Sequence, residues 1–91
     1  METIQIRESA ENYLETILVL QKRHGHVRSI DIANELSFSK PSVSVAMKNL
    51  RLNGLIEIDE DGIITLQEAG RVIAERIYER HTLLTQWLEH L

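Results

Sequence analysis

The chain has 91 residues, ten lysines and arginines against fourteen aspartates and glutamates, a formal net charge of −4 at neutral pH and no cysteine. This length predicts one domain with a modest core, and the lack of cysteine excludes a disulfide framework and a thiolate metal site from these residues. No apolar run approaches the ~18 residues of a membrane span, and the polar start lacks a secretory pattern, so we expect a cytoplasmic protein that makes no membrane contact.

The first predicted helix begins at Ser9, which can act as its N-cap, and runs to about Arg23. Its apolar positions form a surface broad enough to contact two neighbouring elements. On its polar side Glu11, Asn12 and Glu15 lie within one turn of each other, and the two carboxylates repel unless a cation lies between them. From the pattern alone, a solvated acidic face is the simpler interpretation of this cluster.

Two short helices joined by a tight turn are predicted next. Ser29 is the expected N-cap of the first, with Asp31 in its first turn. The second helix covers residues 41–53 and begins with Pro41, whose missing N–H leaves no bond unmade there, while Ser39 precedes it as a cap. The residues of this helix that share one face and are expected to be buried are Val43, Ala46, Met47 and Leu50. This pattern is typical of a helix-turn-helix.

The opposite face of the second helix combines short hydroxyls, exposed methyl groups and positive charge, which together fit a DNA major groove. Residues 22–53 carry six basic and only two acidic side chains, although the whole chain is acidic. Phosphate contact depends on the field within about a Debye length, ~8–10 Å, so this local excess favours DNA binding. A plain helical hairpin with a solvated outer face is the alternative.

A β-hairpin is predicted directly after these helices. Residues 55–58 and 63–66 alternate as strands around an Asp-Gly turn, and Gly54 is expected to end the preceding helix. A hairpin in this position is the wing of a winged helix. Its acidic tip, residues 59–61, repels phosphate, so we expect weak contact between this wing and DNA, or none.

A capping box from Thr65 to Glu68 predicts a fourth helix that runs through Arg80 and on towards the end, with a bend near His81. His81 lies on the apolar stripe of this helix, and the pattern alone favours a satisfied core histidine over a metal ligand. The apolar stripe continues with Leu84, Trp87, Leu88 and Leu91. A bare stripe of this kind predicts a homodimer through the C-terminal helix, a chain cut within a longer protein, or both.

The chain contains, in order, SAENYLETILVL, SIDIANELSFSKPSVSVAMKNLRLNGLIEID, ITLQEAGR and IYERHTLLTQWL, which together resemble the diphtheria-toxin-repressor and manganese-repressor family of bacterial metal-activated transcriptional repressors. The resemblance extends from about Ser9 to Leu91. It implies a mainly α-helical fold with a small β-hairpin: a winged helix-turn-helix DNA-binding domain over residues 1–70, then a long C-terminal helix, residues 71–91, that starts a dimerisation region. It also implies that the chain ends within the dimerisation helices.

The resemblance implies a metal site as well. A ligand on the family's first helix corresponds to Asn12, and the acidic ligand of the manganese-sensing branch, three residues later, corresponds to Glu15. The histidine of the family's R-H-x-L-L motif corresponds to His81, while Thr85 replaces an acid that members often have. Imidazole and carboxylate oxygen suit Mn²⁺ or Fe²⁺, which we expect as the cofactor, bound weakly because the family's remaining ligands lie on a later helix.

For DNA, the resemblance implies that a dimer places the second helix of the helix-turn-helix in the major groove of a palindromic operator. The residues expected near bases or adjacent phosphates are Ser39, Pro41, Ser42, Ser44 and Val45. Those expected on phosphates are Arg28, Lys40 and Lys48. Val45 stands where some members carry a base-reading glutamine, which leaves the preferred DNA sequence open.

Two other interpretations remain open at this point. One is a winged helix that binds DNA without metal, with Glu15 and His81 merely structural. The other is a winged-helix protein-interaction module, favoured by the acidic net charge and the acidic wing. We do not expect an enzyme, because the sequence shows neither a nucleophile–base pair nor a glycine-rich phosphate loop.

Overall fold

The computed structural model describes residues 2–89, with side chains from residue 9 onward. Within that range the elements are α1 (Glu2–His24), α2 (Ser29–Leu36), α3 (Lys40–Leu52), β1 (Ile56–Ile58), β2 (Ile64–Leu66) and α4 (Glu68–Glu89). The predicted fold class is confirmed: a mainly helical winged helix-turn-helix followed by a long C-terminal helix. Leu91, the last position of the predicted apolar stripe, lies outside the described residues.

α1 is the central helix of the fold and packs against α2, β2 and α4. Its apolar residues Leu14, Ile17 and Leu20 are almost completely buried, which explains why the sequence has a broad apolar surface here. The helix begins well before Ser9, which is therefore an interior helical residue, and the predicted N-cap at this position is wrong. Among the described residues, no helix is both long and apolar enough to cross a membrane.

The helix-turn-helix forms as predicted, except that a different residue is the N-cap of α2. Arg28, one residue before Ser29, is the N-cap of α2, and its backbone N–H donates to the Asp31 carboxylate at 2.9 Å. Ser29 is the first helical residue, so its predicted capping role is wrong. Ser39 caps α3 as predicted, since its hydroxyl accepts the Ser42 N–H at 3.3 Å.

The wing is a short antiparallel hairpin. Its register pairs Ile56 with Leu66, Glu57 with Thr65 and Ile58 with Ile64. Thr65 therefore lies in β2 and cannot cap α4, so the predicted capping box is wrong. α4 begins at Glu68 instead, where the carbonyl of Gln67 accepts the Arg71 N–H at 2.8 Å.

The wing is joined to the helices by backbone contacts at its base. The Ile64 N–H donates to the Val27 carbonyl at 2.7 Å, and the Gln67 N–H donates to the Leu55 carbonyl at 2.9 Å. Gly70, in the first turn of α4, is buried against Leu55 so closely that a Cβ atom would overlap the Leu55 carbonyl oxygen. These contacts fix where α4 starts and how it lies against α1.

Candidate nucleic-acid interface and metal-ligand pair

α3 turns its apolar face inward and its polar face to solvent. Of the predicted core positions, Val43, Met47 and Leu50 are buried, and Ala46 is half-buried. The exposed positions include Pro41, Ser42, Ser44, Val45, Lys48 and Arg51. The sequence of α3 contains no acidic residue, so this surface carries positive charge without an internal counter-charge.

The N-terminus of α3 is organised by two serines. The Ser39 hydroxyl donates to Ser42 Oγ at 2.7 Å while it accepts the Ser42 N–H. Ser42 and Lys40 are both exposed and lie in the first turn of α3, at the positive end of the helix dipole. A helix N-terminus with these donors suits an anionic group such as a phosphate.

An open groove of about 390 Å³ separates α3 from the wing. Lys48 and Arg51 line it from α3, and Asp59 lines it from the wing. The Asp59 carboxylate accepts the N–H groups of Asp61 and Ile63, each at 2.9 Å, and so is held within the turn of the wing. Basic side chains from α3 therefore face an acidic wing across this groove.

Arg28 is exposed, and its side chain contacts the wing. Its Nε donates to the backbone carbonyl of Asp61 at 3.0 Å, across 33 positions of sequence. Sequence reasoning missed this contact, because no spacing or motif connects the start of α2 to the hairpin tip. The predicted phosphate contact of Arg28 stays a prediction.

Glu15 and His81 meet on the surface between α1 and α4. Glu15 Oε2 lies 2.6 Å from His81 Nδ1, although the two residues are 66 positions apart in sequence. The Glu15 side chain is 17% exposed and the His81 side chain 58% exposed. The interpretation of His81 as a core histidine is therefore wrong, because the ring stands at the surface and pairs with a carboxylate.

The third predicted ligand, Asn12, is not drawn into this pair. Its side chain is exposed, and its hydrogen bond is made by the backbone carbonyl, which accepts the Thr16 hydroxyl at 2.8 Å. An open cavity of about 420 Å³ beside Glu15 and His81 is lined by neither Asn12 nor Glu11. Within the described residues, no three histidines, aspartates or glutamates converge on one point.

Comparison with known proteins assigns the chain to a family. Residues 5–64 match the family described as iron dependent repressor, N-terminal DNA binding domain. The match covers well over half of the 91 residues. The chain belongs to this family.

Individual relatives agree with the family match. The transcriptional regulator MntR of Escherichia coli O6:H1 is 33% identical over 82 residues, which are 90% of this chain and 53% of that protein. The HTH-type transcriptional regulator MntR of Geobacillus kaustophilus is 34% identical over 80 residues, 88% of this chain and 57% of that protein. The chain spans about half the length of the curated relatives it matches.

A solved structure supports the same assignment. The manganese regulator SloR superposes with a TM-score of 0.67 at 32% identity, over 79% of this chain and 34% of SloR. The resemblance to the diphtheria-toxin-repressor and manganese-repressor family is thereby confirmed. The family is one of transcriptional regulators, not enzymes, which also confirms the prediction that the chain is not an enzyme.

Proposed function

We propose that the chain is the DNA-reading part of a metal-dependent transcriptional repressor that binds a palindromic operator as a dimer through α3, with Mn²⁺ or Fe²⁺ as cofactor. The contact between Glu15 and His81 carries the proposal, because it brings together two metal-ligating side chains that are distant in sequence. The relative described as a manganese regulator supports the choice of metal. This role would place the chain with bacterial DNA, in the cytoplasm.

The donor set of the pair suits a divalent cation of this kind. A carboxylate oxygen and an imidazole nitrogen are ligands that Mn²⁺ and Fe²⁺ accept, and the chain has no thiolate to favour softer metals. Two side chains fill only part of a coordination sphere, because no third histidine or carboxylate joins them among the described residues. We therefore expect the chain alone to bind metal weakly.

Glu15 and His81 belong to helices whose relative position matters for DNA reading. α1 carries Glu15 and also packs on α2, while α4 carries His81 and continues beyond the compact core. A bound divalent cation would supply the positive charge that holds carboxylate and imidazole together. Glu15 and His81 would then fix α4 relative to the helix-turn-helix. In a dimer through α4, that angle sets the distance between the two α3 helices, which must match half-sites about 34–36 Å apart.

Apolar side chains near the end of α4 support the dimer. Four of them are more than half exposed: Leu83, Leu84, Trp87 and Leu88. Contiguous exposed apolar surface on a helix marks an interaction site more often than a solvated one. A second copy of the chain would cover this stripe by pairing α4 with α4.

A metal-independent DNA-binding regulator is the second candidate. The 2.6 Å contact between Glu15 and His81 joins α1 to α4 by itself, which favours a purely structural role for the pair. The acidic wing favours the third candidate, a protein-interaction module. Measurement of DNA binding with and without metal separates all three candidate functions.

The test is DNA binding by the chain with and without metal. Duplexes selected from a random library in the presence of Mn²⁺ serve as probe, and fluorescence anisotropy is measured across a salt series with Mn²⁺, Fe²⁺ or chelator. His81→Ala and Glu15→Gln remove the proposed ligands, and His26→Ala removes an exposed histidine remote from them. We expect metal to raise the affinity of the wild type and of His26→Ala, but not that of the other two variants.

Each other outcome favours one of the alternatives. Salt-sensitive binding that metal does not stimulate in the wild type would favour the metal-independent regulator. Stimulation that persists in both ligand variants would show that the metal binds elsewhere. A folded chain that binds no duplex at any salt concentration would favour the protein-interaction module.

A further inference from the structure

We infer that Arg28 is a positioning residue that holds the acidic wing tip against the start of α2, and not a side chain that contacts a DNA phosphate. The wing tip here means residues 59–63. The inference rests on the proposed function only where DNA binding is the readout, since the mobility of the wing tip can be measured without DNA.

The backbone of Arg28 is fixed at the start of α2. Its N–H donates to Asp31 Oδ2 at 2.9 Å, and its carbonyl accepts the Asp31 N–H at 3.0 Å. From this fixed point the side chain reaches across to the wing, where Nε donates to the Asp61 carbonyl at 3.0 Å. One residue thus connects the helix-turn-helix, α2 and α3, to the turn of the hairpin.

The wing tip has few other connections to the helices. Its hydrogen bonds are mainly internal: Asp59 accepts from the N–H groups of Asp61 and Ile63. The base of the wing is tied down separately, by the bond from the Ile64 N–H to the Val27 carbonyl. Among the hydrogen bonds of the described residues, that of Arg28 is the one that ties the tip to the helical part.

The position of this tip matters because of its charge. It carries the carboxylates of residues 59–61, and Asp59 already shares a groove with Lys48 and Arg51 of α3. A guanidinium bound at Asp61 places one positive charge beside this cluster and keeps the tip next to α2. If the tip is released, DNA binding must order it again with its carboxylates held away from the phosphates, and this entropy cost lowers affinity without removing a phosphate contact.

A phosphate contact and a positioning contact have different salt dependences. Each phosphate-bound cation adds about 0.9 to the slope of log affinity against log salt, so its loss lowers the slope by about one. Loss of a positioning contact lowers affinity at every salt concentration and leaves the slope unchanged. Substitution by lysine separates the two cases again, since it keeps the charge but loses the planar Nε–H donor.

The experiment compares Arg28→Ala and Arg28→Lys with Lys48→Ala as the phosphate-contact control, on the selected duplexes in a salt series. For Arg28→Ala we expect about fivefold weaker binding with an unchanged slope, and for Arg28→Lys incomplete recovery. Lys48→Ala should lower the slope by about one. In nitrogen-15 relaxation without DNA, order parameters of the wing tip, residues 59–63, should fall from about 0.85 towards 0.6 in Arg28→Ala and remain unchanged in Lys48→Ala.

A slope that falls by about one in Arg28→Ala and recovers in Arg28→Lys would overturn the inference, because Arg28 would then contact a phosphate. Unchanged order parameters at the wing tip in Arg28→Ala would also overturn it. If the wild type binds no duplex, the proposed function fails. The relaxation measurement then decides the positioning role by itself.

Discussion

Replacement of Gly70 by alanine tests how α4 is anchored, because two physical effects predict opposite signs. Alanine is the better helix former by about 1 kcal/mol, so helix propensity alone predicts a more stable chain. Gly70 is buried, however, and an added Cβ would overlap the carbonyl oxygen of Leu55 and lie 3.3 Å from Leu14 Cδ2. The structure therefore predicts destabilisation.

The size of the effect follows from how firmly the Leu55 backbone is held. Its carbonyl accepts the Gln67 N–H at 2.9 Å, and its N–H donates to the Leu50 carbonyl at 3.0 Å. To relieve the overlap, α4 must shift away or these bonds must lengthen. Overpacking costs about 1–3 kcal/mol and a lost hydrogen bond about 1 kcal/mol, so after the gain in propensity of about 1 kcal/mol we expect a net loss of about 1–3 kcal/mol.

Urea unfolding followed by circular dichroism measures this loss as a lower midpoint at an unchanged m-value. Gly62→Ala is the matched control: open space surrounds its Cβ position, but its φ of +80° costs an alanine about 1–2 kcal/mol. The control therefore reports conformational strain without steric overlap. A Gly70→Ala chain as stable as the wild type, or more stable, would refute the close packing of α4 on Leu55.

Three further predictions concern charge, assembly and pH. Lys48→Ala should weaken binding to all duplexes alike and lower the salt slope by about one, whereas neutral Asn49→Ala on the same helix should leave the slope intact. Trp87→Ser should shift the proposed dimer towards monomer in sedimentation equilibrium while the helical circular dichroism is retained, because Trp87 is 61% exposed and lies outside the core. Burial raises the pKa of the Tyr13 hydroxyl above its usual 10.0, so the unfolded chain loses this proton first. Stability should therefore be insensitive to Tyr13 below pH 10 and fall above it, and Tyr13→Phe should reduce that fall in alkaline urea titrations.

Much of the helix-turn-helix was predictable because the sequence patterns that define its helices are local. The apolar spacing of α3 identifies its buried face, and Val43, Met47 and Leu50 are buried as predicted. Gly54 adopts a φ of +74° after the end of α3, as expected of a helix-terminating glycine. Periodicity and turn chemistry are sufficient here because each element is shaped by its own neighbours in sequence.

Two of the errors arise where a distant partner decides the local structure. Thr65 fits a capping box by sequence, yet it pairs with Glu57 in the hairpin, whose neighbouring residues Ile56 and Ile64 are buried in the core shared with the helices. The contact between His81 and Glu15 depends on the crossing of α1 and α4, which no local pattern specifies. The resemblance to a family pointed to both residues as ligands, but only the fold shows that they touch.

The segregation of charge has a consequence for how the molecule finds DNA. Basic side chains are concentrated in residues 22–53, and acidic ones predominate in the wing and the flanking helices. The chain thus has separate regions of positive and negative charge, and in the proposed role the field of a duplex would turn α3 towards the DNA during approach. In other orientations the acidic surfaces would be repelled by the duplex, so non-specific encounters would be brief. In a DNA-binding role, this charge pattern would lower the affinity for every duplex and speed release from non-specific sites.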